Sequence, residues 1–327
     1  MGKDRKSAER EPMKMFEQMQ QLLAEADFKS AFVATEYLPE LRHDFEKLLA
    51  KKALNQEFYD EIVSRYGLHW QFDPPADFPE ARSIILTAAP QPKTSLEFRF
   101  AGEKHYAIIP PTYIYDTDQQ VIDTISPFLE KSGYHMNVAL VPTKLLAVRS
   151  GLAKYGRNNI TYIDGWGSYF RLRAFFSDMP CPQNNWRESV ALELCSKCTA
   201  CIKKCPTEAI NADRFLVNAG KCLTFFNEKE DAFPGWLDPA WHNCLIGCMI
   251  CQDVCPANKD HTAWIMPGGD FSERETGMIL DGVSKDKLPA NTAQKLQNVC
   301  ILESYELLQR NLGVLIDKAQ TNNEKED

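Results

Sequence analysis

The stretch Cys195-Ser196-Lys197-Cys198-Thr199-Ala200-Cys201-Ile202-Lys203-Lys204-Cys205-Pro206 decides how this chain is read. A second run, Cys248-Met249-Ile250-Cys251-Gln252-Asp253-Val254-Cys255-Pro256, follows it, with Cys222 upstream as its missing member. Three closely spaced thiolates take three irons of a [4Fe–4S] cube, and a cysteine just before a proline reaches across to the neighbouring cube. The spacing predicts Cys195, Cys198, Cys201 and Cys255 on one cluster, and Cys205, Cys222, Cys248 and Cys251 on the other. Two clusters in one small ferredoxin-like domain mean one-electron chemistry.

Zinc is the alternative. A four-cysteine zinc site prefers two C-x2-C pairs with a longer gap, which the tight triplet does not offer. Disulfides call for an oxidising compartment, and no secretion signal is read here. Cys244, four residues before Cys248, could replace Cys222, but the cross-over pattern favours Cys222. Cys181 and Cys300 stand alone and read as packing residues.

The chain has 327 residues, enough for two or three domains. Its 44% hydrophobic and 25% charged content are those of a globular protein. A net charge of −8 argues against a large nucleic-acid surface. Met1–Arg10 is charged and reads as neither a secretory nor a twin-arginine leader. No apolar run approaches the ~20 residues of a membrane helix. The expectation is a cytoplasmic protein with no membrane partner.

Upstream of the cysteines, helices alternate with strands. Helices are predicted over 13–28, 39–53, 118–132 and 142–150, with strands over 30–35, 83–88 and 136–141. From Tyr169 the period becomes two: Phe170, Leu172, Ala174 and Phe176 share one face, and Tyr169, Arg171, Arg173 and Phe175 the other. This implies an α/β domain over 1–180. The cluster domain spans 181–262, and 263–327 reads as a helical segment with a disordered tail from Thr321.

Gly151-Leu152-Ala153-Lys154-Tyr155-Gly156-Arg157-Asn158-Asn159-Ile160 is a glycine-punctuated turn with two cations and two amides. Glycines allow close backbone approach, and Arg and Asn supply directional donors. It is not a G-x-G-x-x-G loop, so NAD is not signalled. Read plainly, it is a helix end followed by a polar turn. The six histidines are scattered and read as surface or packing residues.

Ser150–Arg157, Gly167-Ser168-Tyr169-Phe170, Ser177-Asp178-Met179-Pro180, the cysteine runs and Gly247–Pro256 together resemble the epoxyqueuosine reductase family, a relative of the reductive dehalogenases. The resemblance is good from about residue 140 to 260. It implies a nitroreductase-like α/β domain joined to a double-cluster domain, and cobalamin held base-off with no protein histidine on the cobalt. Gly151, Tyr155, Gly156, Arg157, Asn158, Asn159, Gly167, Ser168 and Tyr169 are then the expected corrin pocket.

Electrons from an external ferredoxin- or flavodoxin-like donor would enter through the clusters. The family's proton-donating aspartate falls closest to Asn137, which has no titratable proton. The long C-terminal helical repeat of larger members is not read either. The main expectation is therefore a reductase of a small electrophilic molecule, with His135, Tyr113 and Tyr155 as substitute proton donors. Epoxyqueuosine reduction on tRNA is the alternative. A non-catalytic electron carrier, or a reductive activator of a partner corrinoid protein, is the third reading.

Overall fold

A computed structural model describes residues 3–51, 53–54, 56, 59–60, 63, 69–182 and 185–326, with side chains described within 13–321. Contacts gather the chain into two units: residues 1–90, 117–198 and 214–216, and residues 91–116, 199–213 and 217–327. The contiguous segments expected from the sequence do not map one to one onto these units, because 91–116 groups with the second.

The first unit begins with α1 (Lys3–Glu25), β1 (Lys29–Ala34) and α2 (Leu38–Ala50), followed by β2 (Ser83–Pro90). The antiparallel hairpin partners β3 (Lys93–Phe100) and β4 (Glu103–Ile109) intervene and belong to the second unit. The first unit resumes with α3 (Asp116–Lys131), β5 (Met136–Val138) and α4 (Thr143–Arg149). The short strands β6 (Lys154–Tyr155) and β7 (Thr161–Tyr162) and the long β8 (Phe170–Ser177) complete it. Its main sheet is antiparallel, in the order β1-β2-β8-β5.

β2 is an apolar run because both of its faces are covered. Ile84, Leu86 and Ala88 enter one core with Leu38, Leu41, Leu146 and Phe176. Ile85 and Ala89 enter the other with Phe16, Met19, Leu23, Val121, Ile125 and Leu129. The alternation read in β8 holds: Ala174 and Phe176 face the first core and Phe175 the second. Arg171 and Arg173 both reach Asp118, at 2.6 and 3.5 Å. The predicted strand over 136–141 is shorter, ending at Val138. Gly133 and Gly151, at φ +76° and +82°, close α3 and α4 in the left-handed conformation that glycine adopts without strain.

In the second unit the chain after residue 199 forms α5 (Ala200–Lys204), α6 (Leu223–Glu228), α7 (Ile250–Asp253) and β9 (Ile265–Phe271). α8 (Glu273–Leu280), α9 (Ala290–Asn298) and α10 (Tyr305–Glu326) follow. β9 corrects the reading of everything beyond 262 as helical. It lies parallel to β3 in the order β4-β3-β9. Its Pro267, Gly268 and Gly269 are poor strand formers. Gly268 is nevertheless required, since a Cβ there would sit 2.3 Å from Thr94 and 2.7 Å from Leu96. Phe98 stacks on Phe271 at 4.8 Å, and α8, α9 and α10 cover this core with Ile279, Leu296, Tyr305, Leu308 and Leu312. α10 runs through Glu326, and Asp327 lies outside the described residues.

Ser272 and Glu275 form a reciprocal capping box that starts α8. Burial would raise the Glu275 carboxyl, but Lys295 at 2.9 Å and bonds from Ser272 and Thr292 outweigh it and hold it at about 2. A folded-state value below the unfolded one gives stability that is complete above about pH 4.5 and lost as pH falls toward 2. Glu275→Gln is expected to destabilise the chain by roughly 2 kcal/mol at neutral pH. The deficit should shrink below pH 4 in denaturant unfolding. A deficit independent of pH would count against the ion pair.

Candidate iron–sulfur centre

Six of the eight predicted ligands lie within the second unit, and the four expected on one cluster stand in or beside short helices. Cys205 terminates α5, Cys222 is the N-cap of α6, Cys248 stands just before α7, and Cys251 is inside it. α5 and α7 pack against each other. None of the four is in a disulfide, and each is half-buried.

Their charges act on one another. Burial pushes the Cys248 thiol up to about 11, opposed by hydrogen bonds from Asn243 and the Ile250 backbone, with Cys222 and Cys205 adding to the rise. Burial raises Cys222 as well, opposed by the backbone and hydroxyl of Thr224, with Cys205 again nearby. Gathered thiolates repel unless a metal centre supplies positive charge, and donors aimed at sulfur are what a cluster's thiolates need.

Among the described residues no three thiol, imidazole or carboxylate groups close on one point as a single ion requires.

The other expected set is divided. Cys195 and Cys198 belong to the first unit, while Cys201 in α5 and Cys255 after α7 belong to the second. Within the first unit the Cys195 segment is tied to the glycine turn. Arg157 Nη2 donates to the Cys195 carbonyl at 2.6 Å, and Tyr155 exchanges backbone bonds with Val190 and Leu192 at 2.9 and 2.8 Å.

Cys244 is 1% exposed, and its thiol donates to Asn243 Oδ1 at 3.2 Å. Burial, then the neighbouring Cys248, pushes it well above the ordinary cysteine range. Cys222 lies within electrostatic reach of Cys205 and Cys248. Cys181 packs beside the α1–α3 core, and Cys300 is buried with its thiol 3.3 Å from Asp116.

The residues expected to hold a corrin are committed elsewhere. Gly151 lies under the Arg187 guanidinium, which would be 2.8 Å from a Cβ. Gly156 lies under Tyr162 and Asn158, at 2.5 and 2.6 Å from its would-be Cβ. A valine there would strike Tyr162, so its effect is on the β6–β7 ribbon itself. Asn158 is buried and donates to the Tyr162 hydroxyl at 2.9 Å, and Asn159 turns the chain at φ +59°. Tyr155 is buried edge-on against Phe215. Gly167, at φ +56°, leads into Ser168 and Tyr169, both buried. The structure brings these residues together as a ribbon that supports the Cys195 segment. Asn158 bonds within it and Arg157 Nη2 bonds to the Cys195 segment, while Arg157 Nε is buried without a hydrogen-bond partner.

Of the substitute proton donors, His135 is exposed and faces Asp178 at 3.3 Å. The partly buried Tyr113 donates a hydrogen bond to Glu228, and Tyr155 is the ribbon residue already described. Sequence reasoning missed the residues that hold the Cys248 loop. Asn227 donates to the Gly247 carbonyl at 2.8 Å, and Asn311 of α10 donates to Leu245 and Asn227 carbonyls at 2.9 Å. Lys318 donates to the His242 carbonyl at 2.7 Å. Their only sequence signal is polarity on otherwise apolar faces.

Residues 194–258 match the model of a 4Fe-4S double cluster binding domain. An epoxyqueuosine reductase of Leadbetterella byssophila is 34% identical over 186 residues, 54% of this chain and 58% of that protein. One of Cyclobacterium marinum is 35% identical over 114 residues, 35% and 36% of the two chains. The chain thus spans well under two thirds of these relatives.

In fold, it superposes on a selenomethionine-labelled epoxyqueuosine reductase with a TM-score of 0.64 at 18% identity, over 93% of this chain and 82% of that one. An epoxyqueuosine reductase with a tRNA-Tyr epoxyqueuosine-modified stem loop gives 0.56 at 19% identity, over 92% and 81%. The chain carries a 4Fe-4S double cluster binding domain with mixed helix-and-sheet structure around it, and it is similar to the epoxyqueuosine reductases over stretches longer than that domain.

Proposed function

We propose that this chain is an iron–sulfur reductase of the epoxyqueuosine reductase kind, acting on an epoxide carried by tRNA. Cys195, Cys198, Cys201 and Cys255 would hold one cluster, and Cys205, Cys222, Cys248 and Cys251 the other. The observation that carries the reading is the gathering of Cys205, Cys222 and Cys248, each helix-placed and two of them met by N–H donors, inside a segment matching a double-cluster domain. The similarity to epoxyqueuosine reductases, one of them seen with a modified tRNA stem loop, favours tRNA over the small electrophile expected from the sequence. Removing an epoxide oxygen as water takes two electrons and two protons. Clusters that pass single electrons must therefore act twice per turnover.

An external ferredoxin- or flavodoxin-like donor belongs to this reading, as does base-off cobalamin, both through the resemblance alone. The residues expected to hold the corrin are turned into the ribbon, so no step is assigned to it. Titration with cob(II)alamin under anaerobic conditions decides it by the presence or absence of a base-off paramagnetic signal.

The test of function is anaerobic incubation of the reduced protein with an epoxyqueuosine-modified tRNA-Tyr stem loop, followed by mass analysis of the nucleosides. Loss of one oxygen is expected. Assembled clusters without conversion would favour the electron-carrier reading.

A Bacillus subtilis epoxyqueuosine reductase has been captured with its catalytic aspartate loop swung out of the active site. The nearest position here is Asn137, exposed on β5. If proton supply limits turnover, Asn137→Asp should accelerate conversion, by up to about 100-fold for a restored general acid. An unchanged rate would remove Asn137 from the proton path.

A further inference from the structure

Asn243 is bonded at every polar position of its side chain. Its Nδ2 donates to Cys248 Sγ at 3.3 Å and to the Trp241 carbonyl at 3.1 Å. Its Oδ1 accepts from the Met249 backbone N–H at 2.9 Å and from Cys244 Sγ at 3.2 Å. A primary amide has two N–H donors and two lone pairs on oxygen, so this set uses all four. It also fixes which way the amide points. The Met249 N–H can only donate, so the oxygen must face it, and the NH2 group must face the Cys248 sulfur. Turning the amide over would set N–H against N–H on one side and a carbonyl oxygen against the Trp241 carbonyl on the other.

The same logic assigns Cys244. Its sulfur faces an oxygen that can only accept, in a position 1% exposed, so the thiol keeps its hydrogen and spends it on Asn243. The result is a directed chain within one unit, from the Cys244 S–H to the Asn243 oxygen and from the Asn243 N–H to the Cys248 sulfur. Hydrogen bonds polarise one another along such a chain.

We propose that Asn243, supported by the Cys244 thiol, is a positioning residue that raises the reduction potential of the Cys205, Cys222, Cys248 and Cys251 cluster. This rests on the cluster reading above. Reduction adds one electron to the cluster and moves no atom. The electron makes the ligand sulfurs richer in charge, so an N–H aimed at Cys248 stabilises the reduced state more than the oxidised one. The ninth cysteine of the region is then a hydrogen-bond donor to the ligand shell and not a spare ligand.

The experiment is a dithionite titration of the full chain after anaerobic iron–sulfur reconstitution, followed by paramagnetic resonance, with iron counted in every sample. Asn243→Asp keeps the shape but cannot donate. It should leave about eight irons, two four-iron cubes, and move the midpoint of one cluster to lower potential while the other stays. Cys244→Ala should move the same midpoint the same way by less. Cys244→Ser, which retains a donor, should stay near wild type.

Should Asn243→Asp fail to hold its cluster, the alanine and serine variants carry the same comparison. Unmoved potentials at full iron content would overturn the inference and leave the cluster reading standing. Cys244→Ala dropping to half the iron would make Cys244 a ligand and overturn it also. A wild-type chain that assembles no cluster would remove both.

Discussion

Cys222→Ser is expected to lose one cluster, leaving about four of eight irons, while Cys244→Ser keeps about eight. Cys222 caps α6 and lies within electrostatic reach of Cys205 and Cys248, and the Thr224 backbone and hydroxyl are aimed at its sulfur. Serine keeps the size but not the soft donor that iron prefers. Ligation and folding are coupled in small metal domains, so the loss should also lower the unfolding midpoint. Anaerobic iron and sulfide analysis reads the first effect and denaturant unfolding the second. The reverse pattern, with Cys244→Ser losing iron, would show that the buried thiol is the ligand.

The second large effect is expected at Gly247, directly before Cys248. Its φ of +68° is a conformation that side chains strain to adopt. An added Cβ would also stand 2.5 Å from the Tyr113 hydroxyl and 2.6 Å from its ring. Tyr113 cannot yield easily, because it packs against the core and its hydroxyl is bonded to Glu228. Backbone strain of about 1 kcal/mol and overpacking of about 1–3 kcal/mol should add to roughly 3 kcal/mol. The displaced loop should then release the second cluster.

Gly269→Ala supplies the control. Its φ is +120° with nothing within 4 Å of the added Cβ, so it carries strain without collision. If Gly247→Ala costs no more than Gly269→Ala and retains full iron, the collision with Tyr113 is not real.

Much of the molecule is legible in the order of its residues. Helix faces such as Val121, Ile125 and Leu129, the alternation along β8, and the cysteine spacing all report local periodicity or local reach. The hairpin of β3 and β4 went unread, although its Ala101-Gly102 turn, with φ of +54° and +78°, is a conformation that glycine signals. β9 was unreadable in principle. Its Pro267, Gly268 and Gly269 argue against a strand, and only the close approach of Thr94 and Leu96 makes a residue without a side chain the right one.

The glycine turn shows the opposite error. Gly156 and Asn158 have the residue types of a ligand site, yet Tyr162 occupies both of them.

The sequence by itself determined that the chain carries a double-cluster domain, because the cysteine pattern of such a domain is written in spacings of two and three residues. The tertiary structure alone decided what surrounds those cysteines. Asn243 meets Cys248 five residues on, but the loop that lets it do so is held by Asn227 and by Asn311, which donates to a carbonyl 66 residues away. Contacts of that range carry no periodic signal. They exist only when buried polar groups must find partners within the folded core.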